Sequence, residues 1–354
     1  MSTTQTTNVA TEMPQSTRTA AFSTSGPPTS MAPNGTNAEH GHITIKKLHA
    51  TFGAEVSGVD FSRPLDDETL AEIRAAAAKD FAQYGVLVFR KTGLDDESHI
   101  AFGRQLGELD DITPYLGAGR ANRLNHVELF DVSNIATDGG LLNPDTARGQ
   151  ANKGNNLFHV DSSFNPRRAG YSLLLVHELP PPGMGGHTAF ADTRAAFDDL
   201  PDDLKKELLE RNYIANHSMW HSRKLAAPDF FADVEPTDYA FGRHQLVQKH
   251  EVSDRMNLYI AAHVHHLDWL EEKESRRIID TLYEHATQPK YQVEIEWRDK
   301  GDLVLWDNTC TMHKAVGGDF LRKYRRDMRR VTVHDGSSTA WGLNDKTALR
   351  QGMP

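Results

Sequence analysis

The sequence predicts a mainly β fold with flanking helices. After residue 156, short segments that are apolar or alternate between apolar and polar dominate, and only two helical segments interrupt them. Such a pattern indicates an antiparallel β core that carries helices on its outside. The length of 354 residues fits one large domain or two small ones.

Each element follows from its residue period and its boundary residues. Apolar residues at helical spacing predict helices at 67–84, 96–106, 202–211 and 274–286, the first two followed by glycines. Alternation or a short apolar run predicts strands. These strands are 43–45, 53–60 (with a turn), 86–89, 157–161, 172–178, 188–191, 258–261, 303–306 and 328–333.

The domain boundaries follow from composition. Residues 1–42 are rich in Ser, Thr, Pro, Asn and Gly, so we predict a disordered tail that buries too little apolar surface to fold. The folded domain is predicted at 43–335, with a C-terminal tail at 336–354. Residues 115–155 are rich in Gly and Asn without a clear period. A loop of this length in a compact domain is usually functional, so we predict an active-site lid.

Charge and composition narrow the function classes. The 39 Lys and Arg against 49 Asp and Glu give a net charge of −10, which argues against a nucleic-acid partner. Because no apolar run is long enough to span a membrane, we do not expect the protein to associate with one. The single cysteine, Cys310, fits a reducing compartment, so a cytoplasmic location is expected. The oligomeric state, a homo-oligomer included, stays open.

A metal site is suggested by Phe158-His159-Val160-Asp161. On an extended strand, residues i and i+2 point to the same face, so His159 and Asp161 can hold one ion together. One further imidazole would complete a facial triad of two histidines and one carboxylate. That triad is characteristic of non-heme iron(II) oxygenases.

The His-x-Asp pattern alone is weak evidence, because about one match is expected by chance among 18 histidines. A second match, His266-Leu267-Asp268, lies beside His263 and His265. We interpret that cluster as polar surface or as locally satisfied core.

Two later segments favour the first match. An apolar strand at 303–306 leads through a turn to His313, which taken alone is more often structural than a ligand. Beyond it, six basic residues fall between Arg322 and Arg330, a pattern also typical of a solvated edge. Strand period places Arg326 and Arg330 on one face. Two arginines there need two anions, and carboxylates are the natural candidates.

Together these pieces resemble the family of taurine dioxygenase and 2,4-dichlorophenoxyacetate dioxygenase over roughly residues 43–335. The matching motifs are AEVSGVD at 54–60, YGVLVFR at 84–90, HVDSSF at 159–164, GGHTAFAD at 185–192, EHATQP at 284–289, WDN at 306–308 and MH at 312–313. The resemblance implies a double-stranded β-helix, or jelly roll, flanked by helices. It also implies an Fe(II)- and 2-oxoglutarate-dependent dioxygenase that consumes O2.

Residue roles transfer from the family by position. The resemblance implies iron ligation and catalysis by His159, Asp161 and His313. It implies binding of 2-oxoglutarate by Thr188 and Arg326. A small anionic organic substrate would meet the two remaining residues, Arg330 and Asn155.

Departures from the family pattern leave the substrate open. His187 stands where an acidic residue is usual, Thr309 where an arginine is usual, and Phe158 where tryptophan is common. The basic run resembles the phenoxyacetate branch, so we expect an aryloxyalkanoate to be hydroxylated and thereby cleaved. A sulfonate or alkyl sulfate dioxygenase of the same family is the nearest alternative. A metal-dependent hydrolase and a non-catalytic jelly-roll binding protein are alternatives of other classes.

Overall fold

The computed structural model describes residues 37–40, 42–78, 84–116 and 122–348. The helices are α1 (Asp67–Ala78), α2 (Asp96–Leu106), α3 (Ala147–Asn152), α4 (Thr193–Asp198), α5 (Asp202–Arg211), α6 (Met219–Ala226) and α7 (Glu272–Ala286). The first eight strands are β1 (Asn37–His40), β2 (Ile43–Lys47), β3 (Ala54–Ser57), β4 (Val86–Phe89), β5 (Leu129–Asp131), β6 (Ala169–Glu178), β7 (Thr188–Asp192) and β8 (Ile214–His217). The others are β9 (Gly242–Gln245), β10 (Val247–His250), β11 (Arg255–Leu258), β12 (Val264–Leu267), β13 (Gln292–Ile295), β14 (Leu303–Asp307), β15 (Thr311–Ala315) and β16 (Asp327–His334).

A large sheet organises the molecule, in the strand order β1-β2-β3-β4-β14-β6-β16-β5. Its pairs are antiparallel except β3 with β4. Two three-stranded sheets, β13-β7-β15 and β12-β8-β9, and the hairpin β10-β11 complete the described strands. The predicted strand-rich architecture with accompanying helices is therefore confirmed.

The large sheet buries both of its faces. On one face, side chains such as Leu173, Leu305 and Val331 pack with apolar residues of α1 and α2. On the other face, Trp306 and Met328 join the core that contains Phe190 of β7. Successive residues of a central strand therefore face the helices and the sheet β13-β7-β15 in turn. Both faces of the strand are buried, which explains the nearly continuous apolar runs of β4 and β14.

Several elements lie where the sequence predicts them. Helix α2 begins after Asp95, whose carboxylate accepts from the Ser98 backbone while Ser98 Oγ accepts from the Asp95 backbone, a reciprocal cap. Helix α5 ends at Arg211, because the next residue, Asn212, has a left-handed φ of 47°. The predicted helix at 67–84 is described only to residue 78, because 79–83 lie outside the described residues.

Two predicted strands are wrong. Segment 157–161 forms no strand and makes a single antiparallel bridge, between His159 and His313. The strand predicted at 258–261 instead ends at Leu258, because β11 pairs with β10 only up to that residue. Residues 259–261 are buried without being strand, and burial alone cannot distinguish the two. The motif His266-Leu267 lies at the end of strand β12.

The predicted tails and lid are described in part. Most of the tail at 1–42 lies outside the described residues, which include β1 and residue 42. The segment 115–155 contains β5 and α3 in its described part. Near the other terminus, Ala340 is buried and Thr339 Oγ1 accepts a hydrogen bond from Arg168 at 2.9 Å. Among the described residues, no helix combines the length and apolarity needed to cross a membrane.

Candidate active site

The backbone places His159 directly opposite His313. His159 follows a 3-10 turn (Lys153–Asn156), and its amide and carbonyl exchange two 2.9 Å hydrogen bonds with those of His313 on β15. Two residues further on, the Asp161 amide donates to Asn308 Oδ1 at 3.2 Å. The extended segment therefore presents His159 and Asp161 on one side although it is not a strand.

These three side chains converge. Asp161 Oδ1 lies 4.0 Å from His159 Nε2 and 3.7 Å from His313 Nε2. One donor atom from each residue fits within 4.8 Å of the others, and all three residues are buried. The separation suits three ligands of one metal ion, whose bonds to nitrogen and oxygen are about 2.0–2.2 Å long.

The protonation states of the three side chains suit the binding of a cation. Burial lowers the pKa of both His159 and His313, so the imidazoles are neutral near pH 7 and can offer lone pairs. Burial acts to raise the pKa of Asp161, but the Arg330 guanidinium, together with the hydrogen bond from Ser172, outweighs it and lowers that pKa to about 2. The site thus combines two neutral imidazoles with one carboxylate.

Neighbouring groups fix the orientation of the cluster. His159 Nδ1 donates to the Leu157 carbonyl at 2.8 Å, which leaves Nε2 as the free ring nitrogen. Ser172 Oγ donates to Asp161 Oδ2 at 2.8 Å and directs Oδ1 towards the histidines. The His313 ring packs against Trp306 at 4.7 Å between centroids. Sequence reasoning did not name these orienting groups.

Arg326 is a buried cation just before β16. Its Nε donates to the Gly186 carbonyl at 3.1 Å, and its backbone amide donates to Asn134 Oδ1 at 2.7 Å. No ion pair joins it to a carboxylate in the described part of the chain, and burial alone lowers its pKa to about 10. A buried guanidinium without a counterion is costly, so this position favours an anionic ligand.

Thr188 begins strand β7 and is buried. Its Oγ1 accepts a hydrogen bond from Trp297 Nε1 at 3.2 Å. The Thr188 hydroxyl can therefore still donate its proton to an acceptor such as a carboxylate.

Arg330 lies on the same side of β16 as the metal cluster. Its Nη1 lies 2.5 Å from Asp161 Oδ1, and its guanidinium carbon lies 4.9 Å from the centre of the Phe130 ring. The sequence predicts that this arginine needs an anion, and in the structure Asp161 supplies one. Asp327 and Arg329 face the other way and pair with Arg123 and Asp96, as strand period predicts.

A cavity opens beside the triad. Asn155 lines it together with His159, Asp161 and Arg330. Tyr115 and Phe130 of the predicted lid and Phe164 of the HVDSSF motif supply part of its apolar and aromatic lining. Ile112, Met219 and His263 complete that lining, and the sequence did not predict their place there because distant segments supply them.

His263 is the member of the rejected histidine cluster that reaches this cavity. Its ring centroid lies 5.6 Å from that of His159, and its Nδ1 lies 2.8 Å from Ser222 Oγ. The other members do not form a metal cluster among the described residues. His266 contacts His265, while Asp268 is held by Arg243 and Asn216.

Comparison with known proteins places the chain in a family. Residues 44–332 match the model of the family described as "Taurine catabolism dioxygenase TauD, TfdA family". The chain belongs to the TauD/TfdA family. The predicted resemblance and the predicted class, a dioxygenase and thus an oxidoreductase, are confirmed.

Individual TauD/TfdA relatives match nearly their whole length. The alpha-ketoglutarate-dependent 2,4-dichlorophenoxyacetate dioxygenase of Burkholderia sp. (strain RASC) is 36% identical over 291 residues, 82% of this chain and 94% of the relative. The (S)-phenoxypropionate/alpha-ketoglutarate-dioxygenase of Sphingobium herbicidovorans is 34% identical, with 84% and 97% covered. The crystal structure of AAD-2 with Mn(II) and N-oxalylglycine is 34% identical, with a TM-score of 0.75 and 83% and 98% covered.

Proposed function

We propose that the chain is an Fe(II)- and 2-oxoglutarate-dependent dioxygenase that hydroxylates, and thereby cleaves, a small anionic substrate such as an aryloxyalkanoate. The observation that carries this proposal is the convergence of His159, Asp161 and His313 beside a cavity. Two neutral imidazoles and one carboxylate form the donor set of non-heme iron(II) oxygenases. The names of the relatives support the same reaction class.

The donor set fits iron(II), and His159, Asp161 and His313 would hold it. Iron, with 2-oxoglutarate and O2, supplies oxidation of a C–H bond with release of succinate and CO2. The protein positions the reactants and excludes water from them. The hydrogen bonds from His159 to Leu157 and from Ser172 to Asp161 keep the ligand atoms aimed at one point.

Arg326 and Thr188 would bind the distal carboxylate of 2-oxoglutarate. Arg326 supplies a buried positive charge without a carboxylate partner among the described residues, and Thr188 supplies a hydroxyl donor. A guanidinium matches a carboxylate through two parallel hydrogen bonds. The carboxylate would supply the counterion that Arg326 lacks.

Gly186 gives a test of the Arg326 position. Gly186 has a φ of +86°, and a Cβ built there would lie 3.2 Å from Arg326 Nε. Gly186→Ala should therefore displace the guanidinium and raise the KM for 2-oxoglutarate.

Gly183→Ala is the matched control, because its φ is +82° but no atom lies within 4 Å of the added Cβ. Both variants should lose about 1–2 kcal/mol of unfolding free energy from backbone strain, measured by denaturant titration. An equal KM for 2-oxoglutarate in both variants would contradict the assignment.

Arg330 and Asn155 would bind the primary substrate. Arg330 offers a cation at the cavity, and Phe130, Phe164 and Met219 offer apolar surface for an aromatic ring. A ligand with one anionic group and one aromatic group suits this lining. Arg330 would then exchange or share its contact with Asp161 when a substrate carboxylate binds.

Replacing Arg330 tests the substrate's charge. Arg330→Met should raise the KM for the acid substrate, while decarboxylation of 2-oxoglutarate without substrate persists. Arg330 also contacts Asp161, so iron affinity must be measured in the same variant. Arg325→Met is the matched control, because Arg325 is half-exposed and pairs with Glu178 away from the cavity. The unmodified enzyme should reject the methyl ester of its acid substrate, and equal turnover of ester and acid would refute the role of Arg330.

A substrate panel separates the alternatives. Aryloxyalkanoates, sulfonates and alkyl sulfates should be compared by 2-oxoglutarate-dependent succinate formation. Preference for a sulfonate or an alkyl sulfate would favour a sulfonate or alkyl sulfate dioxygenase of the same family over an aryloxyalkanoate dioxygenase. Product formation without O2 consumption would favour a metal-dependent hydrolase, and absence of turnover with iron bound would favour a binding protein.

We also infer the finer architecture. The core shared by the large sheet and β7 supports a double-stranded β-helix with helices outside it. Tyr115, Phe130, Arg148 and Asn155 of segment 115–155 line the cavity, which supports a lid role for that segment. The limits of the domain, a cytoplasmic location and the absence of nucleic-acid and membrane partners stay predictions.

A further inference from the structure

A second cluster of potential metal ligands lies outside the triad. His250 ends strand β10, Asp307 ends β14, and Cys310 lies in the turn before β15. All three are at least 97% buried, and one donor atom from each lies within 4.8 Å of the others. We propose that His250, Asp307 and Cys310 bind a zinc-class divalent cation at a site separate from the catalytic triad.

Hydrogen bonds aim the Asp307 carboxylate at His250. Asp307 Oδ1 accepts from the Thr309 amide at 2.8 Å and from Thr309 Oγ1 at 2.6 Å. Asp307 Oδ2 then faces His250 Nε2 at 3.1 Å. Two ligands bound at about 2.0–2.2 Å in a tetrahedral site are roughly 3.3–3.5 Å apart, so a cation needs only a small adjustment here.

A further contact orients the imidazole. His250 Nδ1 lies 2.6 Å from Ser253 Oγ, which can accept the ring proton. Metal-bound histidines usually donate the N–H of their other ring nitrogen in this way, which directs the lone pair of the ligating nitrogen at the metal. His250 Nε2 donates its own proton to Asp307 Oδ2, and once that proton leaves, the nitrogen can bind a cation together with the same carboxylate oxygen.

The ligand types select the class of metal. One thiolate, one imidazole and one carboxylate form a mixed sulfur, nitrogen and oxygen set, which suits Zn²⁺ better than Mg²⁺ or Ca²⁺. Three protein ligands leave a fourth position for water. A cavity of about 460 Å³ is lined by His250 and Asp307 and gives a cation access from solvent.

The local charges tolerate a divalent cation. Arg194 is a buried cation near Cys310, but it is paired with Asp192 at 2.9 Å. Metal binding would break the N–H bond at His250 Nε2 and the S–H bond of Cys310, and both protons would leave to solvent. A dication would then replace two protons, so the net charge of the cluster does not change.

Cobalt(II) tests this site in the full chain, because a cobalt–thiolate bond gives a strong near-ultraviolet charge-transfer band. Cys310 is the chain's single cysteine, and the triad holds no sulfur, so the band can arise only at Cys310. The protein should bind one equivalent of cobalt(II) at the triad and a second equivalent at the Cys310 cluster, and the second should produce the band. The band should persist in His313→Ala and disappear in Cys310→Ser, which keeps its 2-oxoglutarate-dependent activity once loaded with iron. Absence of the band in the folded unmodified protein would overturn the proposal, whatever the variants do.

His250→Gln separates a built site from a thiol that binds cobalt alone. This variant keeps Cys310 but loses one ligand and its contact with Asp307. The cobalt dissociation constant should rise by more than about 10-fold, because even loss of an orienting neighbour costs 10- to 100-fold. Ser253→Ala should weaken binding less, without removing a ligand. An unchanged dissociation constant in His250→Gln would mean that the cluster is not the site.

Discussion

His313→Ala should reduce iron-dependent turnover by more than about 100-fold. Changes in groups that only orient metal ligands already cost 10- to 100-fold in metal affinity or activity, so loss of a ligand should cost more. His313 offers Nε2 at 3.7 Å from Asp161 Oδ1 and sits opposite His159 in the backbone bridge. The measurements are succinate formation and the iron content after anaerobic reconstitution.

Packing must be separated from ligation in this experiment. The His313 ring is buried against Trp306 and Phe190, so the alanine variant also creates a cavity and loses some stability. His313→Gln fills more of that volume and should be equally inactive if ligation matters. His266→Ala is the control histidine, because His266 is half-buried and contacts His265 away from the triad. Full activity in both His313 variants with loss of activity in His266→Ala would show that the wrong cluster was chosen.

Much of the metal site follows from the sequence because it is local. His159 and Asp161 are two residues apart, and any extended backbone turns them to one side, strand or not. That is why the prediction of their geometry survives although 157–161 is not a strand. Strand period likewise separates Arg330 from Asp327 and Arg329 on β16.

What the sequence cannot give depends on contacts between distant segments. His263 belongs to a histidine-rich run that we interpret as polar surface or as locally satisfied core, and its burial against Ser222 of α6 fits the second interpretation. Its position beside the His159 ring depends on a contact between distant segments that no local period predicts. The contact of Arg330 with Asp161 joins residues 169 positions apart. The cluster of His250 with Asp307 and Cys310 also depends on pairing that no local period encodes.

Arg326→Gln should raise the KM for 2-oxoglutarate by about 30- to 1,000-fold with a much smaller change in the KM for substrate. Loss of a charge-assisted bidentate contact at a buried site costs roughly 2–4 kcal/mol, which corresponds to that range. Arg326 has no carboxylate partner among the described residues, so the variant removes no internal ion pair there. The loss should therefore appear in cosubstrate binding and not in stability, measured by initial rates and by thermal unfolding without 2-oxoglutarate.

Arg325→Gln is the matched control for this change. Arg325 is the preceding residue, carries the same charge and is half-exposed, with an ion pair to Glu178 at 3.0 Å. Its loss should leave the KM for 2-oxoglutarate within about two-fold, because surface ion pairs contribute about 0–1 kcal/mol. Adding 2-oxoglutarate should also raise the melting temperature of the iron-loaded Arg325→Gln protein, but not that of Arg326→Gln at the same concentration. If both variants keep the unmodified KM, Arg326 does not bind the cosubstrate, and its buried charge must be balanced by a different anion.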